Sequence, residues 1–263
     1  MKLGIDFGAS HTDLVLVKGT QIIFSKTIPV THFRKPKISE LLKEINLSNV
    51  NHIFVTGWGA RYFPKKYQNI LVSKTSEIQA IALGAQKLSK KKNCLVISMG
   101  SGTAIVSVKG KKFKHIGGTA VGGRMLLGLS ELLLNTSDIQ KVFKWSKKGR
   151  LDKVDLLLKE IYPQGLGHLP WNVSAAHFGY LQKPSKFDLS IALLNLVAQT
   201  IGSISLFAAK AYNHKTIVFV GRLAESKEIQ TILKKRIHIF APHLTFIFPK
   251  NAGLAVALGS IQN

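Results

Sequence analysis

Met1–Val17 reads MKLGIDFGASHTDLVLV, and the rest of the chain is best read outward from it. Leu3 and Ile5 lead into Asp6, Phe7-Gly8-Ala9-Ser10 follows, and Leu14–Val17 is almost without polarity. Two apolar, β-rich runs bounded by small turn residues predict a strand, a tight turn and a second strand. The acid at the end of the first strand sits beside a turn with little side-chain bulk. A carboxylate there can hold a hydrated magnesium ion while bare backbone amides of the turn approach a phosphate. Taken alone, the stretch is more simply an ordinary hairpin with a polar turn.

The same design recurs further on. Cys94–Ser98 is an apolar strand, Met99-Gly100-Ser101-Gly102-Thr103 a small-residue turn, and Ala104–Val108 a returning strand. After the basic run Lys109–Lys114, the segment HIGGTAVGGRM places four glycines, Gly122 and Gly123 last, before an apolar helix expected at Met125–Leu134. Free amides at such a helix start form an anion site. Three phosphate-suited turns in one chain carry more weight than any one of them.

Between the two hairpins the pattern predicts a third strand at Gln21–Pro29, a basic loop at 32–37, an amphipathic helix at Ile38–Ile45 and short strands at Asn51–Val55 and Ile70–Val72. From Ser76 a helix runs SEIQAIALGAQKL, with Ser76 or Thr75 as its cap and Glu77 in its first turn. Beyond the second hairpin, Asp152–Ile161 reads as helix and Pro163–Pro170 as a Gly/Pro loop. A long apolar helix capped by Ser185 or Asp188 runs to Ala211. A strand at Thr216–Val220 ends at Gly221, then come a helix at Lys227–Arg236, a strand at Leu244–Pro249 and a small-residue helix at Asn251–Ile261. Strand–helix alternation opened twice by a hairpin predicts two α/β lobes with a central cleft, residues 1–90 and 91–263.

Composition bounds the function. The 263 residues suffice for a large core, and 46% hydrophobic content without a long uninterrupted apolar run predicts a globular, cytoplasmic chain with no membrane partner and no signal peptide. The single cysteine, Cys94, excludes a disulfide framework and a cysteine metal site. The net charge of +24, from 37 Lys and Arg against 13 Asp and Glu, favours an anionic partner. The lysines lie in short runs without interleaved aromatics, which argues for anionic small molecules rather than specific nucleic acid. His115, His168 and His177 lack metal-ligand spacing, and Ser174 lacks a nucleophile-elbow pattern.

The ordered combination of motifs resembles type II pantothenate kinases, within the superfamily of actin, sugar kinases and heat-shock chaperone ATPases. GIDFGAS, VTGWGA, MGSGTA, IGGTAVGGRMLLGLSELL, VDLLLKEIY, LPWNVSAAHFGYL, FVGRL and NAGLAVALGS carry the resemblance over nearly the whole chain. It implies the two-lobed actin-like (ribonuclease H-like) ATPase fold, a homodimer, and phosphorylation of pantothenate with ATP and Mg2+, the first step of coenzyme A synthesis. By the same resemblance Asp6 holds magnesium, and Gly8, Ala9, Ser10, Gly100, Ser101, Gly102, Thr103, Gly122 and Gly123 cradle the triphosphate. Gly221, Asn251 and Gly253 form the adenosine side, Glu77 is the base, and His115, Arg124 and Phe178 meet the substrate. Such a reaction needs positioning and charge neutralisation more than covalent chemistry. Without the resemblance Glu77 is a first-turn acid favoured by the helix dipole, and Phe178, like Trp171, equally serves packing.

The chain departs from the family pattern at defined places. Asp13 stands where a lysine is expected, His115 where an arginine is, and Gln79 where an acid is. Gly122-Gly123-Arg124 replaces a triple glycine, and Gly221-Arg222 a Gly-Ser-Ser-like turn. Arg124 and Lys114 either restore positive charge by another route or are surface residues. Three other functions stay open on sequence: a catalytically altered nucleotide-binding relative or kinase of a related hydroxyl such as pantetheine; an ATPase activator with an iron–sulfur cluster, disfavoured by one cysteine; and a basic nucleic-acid binder.

Overall fold

The computed structural model describes residues 1–30, 35–167 and 169–261. The first half of the basic loop expected at 32–37 therefore falls outside the described residues, as does His168. The first hairpin forms as β1 (Lys2–Phe7) and β2 (His11–Lys18), continued antiparallel by β3 (Gln21–Pro29). After the short helix α1 (Ile38–Leu42), β4 (His52–Gly57) pairs parallel with β1. An edge strand β5 (Lys66–Tyr67) precedes β6 (Ile70–Lys74), which runs parallel to β4. The sheet order is β3-β2-β1-β4-β6-β5, and helix α2 (Glu77–Ser89) leaves it.

The second half repeats this plan. Strands β7 (Asn93–Met99), β8 (Thr103–Lys109) and β9 (Lys112–Thr119) form an antiparallel meander. Helices α3 (Gly123–Leu134) and α4 (Ile139–Ser146) follow, then a two-stranded pair, β10 (Leu156–Leu157) with β11 (Ser174–Ala176), which flanks the short α5 (Leu158–Ile161). Helix α6 (Lys186–Ala211) is long and apolar enough to span a membrane. It is instead the core of this lobe, burying Leu193, Leu194, Val197, Ala198 and Ile201. Strand β12 (Thr216–Val220) pairs parallel with β7; α7 (Lys227–Phe240), β13 (Thr245–Ile247) and α8 (Ala255–Ser260) complete the chain. Read from its other edge, the order β9-β8-β7-β12-β13 matches the first five strands of the first sheet, β3-β2-β1-β4-β6, and the edge strand β5 has no counterpart.

The repeat extends to a backbone detail that places both phosphate-suited turns. Gly57 after β4 and Gly221 after β12 have φ of 80° and 90°, a region that L side chains rarely adopt. A Cβ on Gly57 would lie 2.4 Å from the Phe7 carbonyl oxygen, and one on Gly221 2.5 Å from that of Met99. Each glycine thus lets a parallel strand turn directly over the end of its hairpin, and each is followed by a 3₁₀ turn, Trp58–Tyr62 or Arg222–Glu225.

We propose residues 1–90 and 91–263 as the lobes in chain order; across that division two helices pack on the sheet of the other half. Ile81, Ala82 and Ala85 of α2 join Cys94, Val96, Val106 and Val218, while Ala257, Leu258 and Ile261 cover Val15, Val17 and Phe54. The helices meet so closely that a Cβ on Gly84 would lie 1.8 Å from the Ala255 carbonyl oxygen, and one on Gly259 1.8 Å from that of Ala80.

The caps at Ser76 and Ser185 form as expected; Ser76 accepts from the Gln79 amide, and Ser185 makes a reciprocal capping box with Asp188. Three expectations are corrected, and one element is new. The glycines of HIGGT are in strand β9, not a loop, because their backbone pairs with β8; Gly118 has room only for hydrogen, since a Cβ there would lie 2.3 Å from the Thr103 carbonyl oxygen. Residues 152–161 are not one helix: a 3₁₀ turn at Leu151–Lys153 gives way to β10 and α5. The Asn251–Ile261 segment opens with a 3₁₀ turn, Ala252–Leu254, before α8. Helix α4, capped by Asp138, has no counterpart among the elements expected from the pattern.

Candidate functional site

The two hairpin turns face each other across a cleft of about 1050 Å³. From the first half, Asp6, Gly8, Ala9, Ser10, His11 and Asp13 form one wall, and Glu77 enters at the N-terminus of α2. The turn is braced from behind, since the Trp58 indole N–H donates to the Gly8 carbonyl at 3.1 Å and the Phe7 ring packs edge-on against Trp58. From the second half come Gly100, Ser101, Gly102 and Thr103, with Gly123, Arg124, Gly221 and Gly253.

Direct contacts tie the walls together. The Ser10 and Ser101 hydroxyls lie 2.7 Å apart, and an Arg124 Nη2 donates to the Ala9 carbonyl at 3.4 Å. The glycine turn before α3 differs from expectation. The Gly123 and Arg124 amides, expected to be free anion donors, donate to the Gly100 and Ser101 carbonyls at 2.9 and 3.0 Å. Gly122 lies under the second turn, where a Cβ would come within 2.6 Å of the Ser101 carbonyl oxygen. The Thr103 hydroxyl donates to the Val121 carbonyl. Gly122, Gly123 and Thr103 therefore shape and hold the second turn through these bonds.

The remaining sequence candidates divide. Gly253 donates its amide to Glu225 at 2.9 Å within the cleft, and Asn251, in the left-handed region at φ 58°, starts the turn that carries Gly253. His115 and Phe178, expected at the substrate, do not line the cleft. His115 is on β9 opposite Val106, and Phe178 packs partly buried against the second-lobe core. The reason for Phe178 is Asp155, a fully buried carboxylate that accepts from the Phe178 amide, Ser174, His177 and Asn195. Burial alone would raise the Asp155 pKa, but these hydrogen bonds outweigh it and hold it below the ordinary carboxylate range.

Sequence reasoning passes over several cleft residues. Ile139, Gln140 and Phe143 of the unexpected α4 line its far end, and Glu225, Lys227 and Glu228 its second-lobe wall. The contact of Arg222 with Asp13 and Thr27 escapes it too: Thr27 donates to Asp13 Oδ1 at 2.6 Å, and Arg222 Nη2 donates to the same oxygen at 2.5 Å and to Thr27 at 3.1 Å. Asp13, out of place beside a phosphate site, is thus answered by a cation from the other lobe.

The electrostatics suit a divalent cation. Burial first, then the Glu77 and Asp13 carboxylates, push Asp6 well above the ordinary carboxylate range. A cation beside Asp6 would remove the repulsion that contributes to this shift. Among the described residues there is no cluster of three His, Cys, Asp or Glu side chains able to hold a metal. A single carboxylate is nevertheless the donor set magnesium takes when water and substrate phosphates complete its octahedron. Cys94 is buried in β7 and offers no cluster ligand at the surface; burial pushes its thiol up to about 11.

The family model described as Fumble matches residues 85–262. The chain is 26% identical over 275 residues to the type II pantothenate kinase of Bacillus anthracis, covering 98% of this chain and 96% of that one. It is 28% identical over 272 residues to that of Oceanobacillus iheyensis, covering 99% and 98%. Among solved structures, component A of (R)-2-hydroxyglutaryl-CoA dehydratase from Acidaminococcus fermentans superposes with a TM-score of 0.67 at 17% identity, covering 98% of this chain and 95% of that one. A ROK family glucokinase from Streptomyces griseus, in complex with glucose and AMPPNP, superposes at 0.65 and 11% identity, covering 98% and 97%. These likenesses are of fold, and the fold is the two-lobed actin-like one.

Proposed function

The chain belongs to the Fumble family, that of the type II pantothenate kinases, and from that premise we propose that it transfers the terminal phosphoryl group of MgATP to the primary hydroxyl of pantothenate. The observation that carries the reading is the convergence of Asp6, Glu77 and the two small-residue turns on one cleft. When bound, magnesium neutralises charge that builds on the phosphates. Asp6 holds it, and Gly8–Ser10 and Gly100–Gly102 position the phosphate chain. Glu77, exposed at the mouth of the cleft, takes the proton from the attacking hydroxyl. A carboxylate within reach of that hydroxyl is the one acid–base group such a transfer needs. Arg124 supplies positive charge from the start of α3, and Gly221, Gly253 and the Asn251 turn form the adenosine side.

Large exposed apolar side chains, Leu132 at the end of α3 and Phe207 on α6, support a homodimer as part of the proposal. The reading of a catalytically altered relative rests on Asp13, His115 and Gln79, and the Asp13–Arg222 pair answers the first of these.

The test is ADP release by the purified chain with MgATP and pantothenate, run beside pantetheine and without acceptor. Turnover of pantothenate, lost in Glu77→Gln while MgATP binding persists, is expected. Turnover of pantetheine alone would move the substrate, and retained activity in Glu77→Gln would remove the base.

A further inference from the structure

We propose that Arg222, held in place by Asp13 and Thr27, is the cation that receives the nucleotide phosphates in this chain, reaching the first hairpin from the opposite lobe. The inference rests on the nucleotide reading above and adds a residue to it. The cleft is short of positive charge near its turns: Asp6, Asp13 and Glu77 all face it from the first half. A polyphosphate brought against three carboxylates is repelled unless fixed cations and a metal intervene.

Three permanent cations line the cleft among the described residues, Arg124, Arg222 and Lys227. Arg222 is the one whose charged group is anchored by side-chain oxygens. Both anchoring bonds use Nη2, so Nε and Nη1 have no bond among the described residues, and the side chain is 40% exposed. A guanidinium carries five donors in a fixed fork, and the N–H groups on Nε and Nη1 that the anchor leaves over can each give a phosphate oxygen a charge-assisted hydrogen bond. The anchor points it: Asp13 is the cross-strand neighbour of Asp6 in the hairpin. Gly221, the preceding residue, is pressed onto the Met99 carbonyl where the second turn begins. Arg222 therefore stands where the two turns converge. His11 reports the same local field, since its pKa is lowered first by burial and then by Arg222, with Arg124 adding to it against Asp13.

Asp13 is a positioning residue in this scheme, and its negative charge is spent on orienting the guanidinium. A lysine at position 13 would place a cation in the same space from β2, which makes the arrangement testable by exchange. Binding of MgATP and of AMP is measured by calorimetry for the wild type, Arg222→Ser and Asp13→Lys/Arg222→Ser, with folding checked by thermal melting. Arg222→Ser is expected to weaken MgATP about 10–100-fold, the range for losing a charge-assisted phosphate contact. AMP should weaken far less, and the double variant should recover MgATP affinity to within about fivefold of the wild type.

A bridge that merely holds the lobes together would weaken both ligands alike and would not be rescued by a lone lysine. That result, or MgATP affinity in Arg222→Ser within about twofold of the wild type, overturns the inference. Failure of the wild type itself to bind MgATP would instead overturn the nucleotide reading on which it rests.

Discussion

Replacing Gly84 by alanine sets two effects against each other, and the structure decides between them. Gly84 lies in the middle of α2, so on helix propensity alone alanine should stabilise by about 1 kcal/mol. Its Cβ, however, would lie 1.8 Å from the Ala255 carbonyl oxygen and 2.6 Å from the Ala255 carbonyl carbon. Ordinary contact begins near 3.4 Å, so α8 must retreat by roughly 1.6 Å, and the obstacle is backbone rather than a side chain that can swing aside. Overpacking of this kind costs about 3 kcal/mol, the upper part of its usual range. The net expectation is a loss of about 2 kcal/mol, or a fall in melting temperature of roughly 4–8 °C for a chain of this size.

The control is Gly128→Ala in α3, where a Cβ meets nothing within 4 Å; there the melting temperature should rise by a degree or more. Because α2 also carries Glu77, about 10 Å along the helix from Gly84, displacement of α2 should lower turnover in Gly84→Ala and leave it unchanged in Gly128→Ala. Differential scanning calorimetry beside ADP-release kinetics reads both. A Gly84→Ala protein that melts at or above the wild-type temperature while Gly128→Ala behaves as stated would refute the close α2–α8 crossing.

Other outcomes follow from the buried ionisable groups. Asp6→Asn removes a carboxylate that burial, Glu77 and Asp13 disfavour, so the metal-free protein should gain about 0.5–2 kcal/mol in urea unfolding while magnesium-dependent turnover disappears. Asp155 has a folded pKa below its unfolded one, so its stabilisation is present above roughly pH 4 and is lost as pH falls through the folded value. Asp155→Asn should flatten that acid limb, and Asp155→Ala should cost about 3 kcal/mol or more, because the donors of Ser174, His177, Phe178 and Asn195 lose their common acceptor. Cys94, with its thiol pushed up to about 11 by burial, should resist a disulfide reagent at pH 8 in the folded chain and react at once in denaturant; fast native labelling would contradict its place inside β7.

The parts of the site legible in sequence are those fixed by backbone demands. A small-residue turn after an apolar strand leaves its mark wherever it occurs, so Gly8–Ser10 and Gly100–Thr103 are readable. What escapes depends on register. A two-residue turn after Lys18, with Lys18 opposite Gln21, would carry Asp13 to a place opposite Lys26, an unremarkable ion pair. The irregularity between Leu16 and Val17 shifts the pairing by one residue and brings Thr27 opposite Asp13 instead, while Lys26 pairs with Glu44 at 2.6 Å. One residue of slip turns a strand's faces over, and no local pattern announces it. His115 and Phe178 lie outside the cleft for a similar reason: the pairing of β9 and the hydrogen bonds of Asp155 are long-range facts.

The duplicated plan also explains how Asp13 and Arg222 come to meet. The residues after Gly57 and Gly221 are Trp58 and Arg222, equivalent positions on equivalent turns, and each reaches the first hairpin: Trp58 to the Gly8 carbonyl, Arg222 to Asp13. Across the hairpins themselves the chemistry is not shared, because Asp6 faces Asp13 in the first whereas Ser98 faces Ala104 in the second. One hairpin therefore concentrates the acids and the other is neutral, so any fixed cation for the first must come from an element that overhangs it. The turn after β12 is such an element, and a residue at its first position can exchange charge with β2 without disturbing either sheet. In the scheme proposed above, a lysine on β2 and an arginine on this turn would serve as alternative cations for one phosphate position.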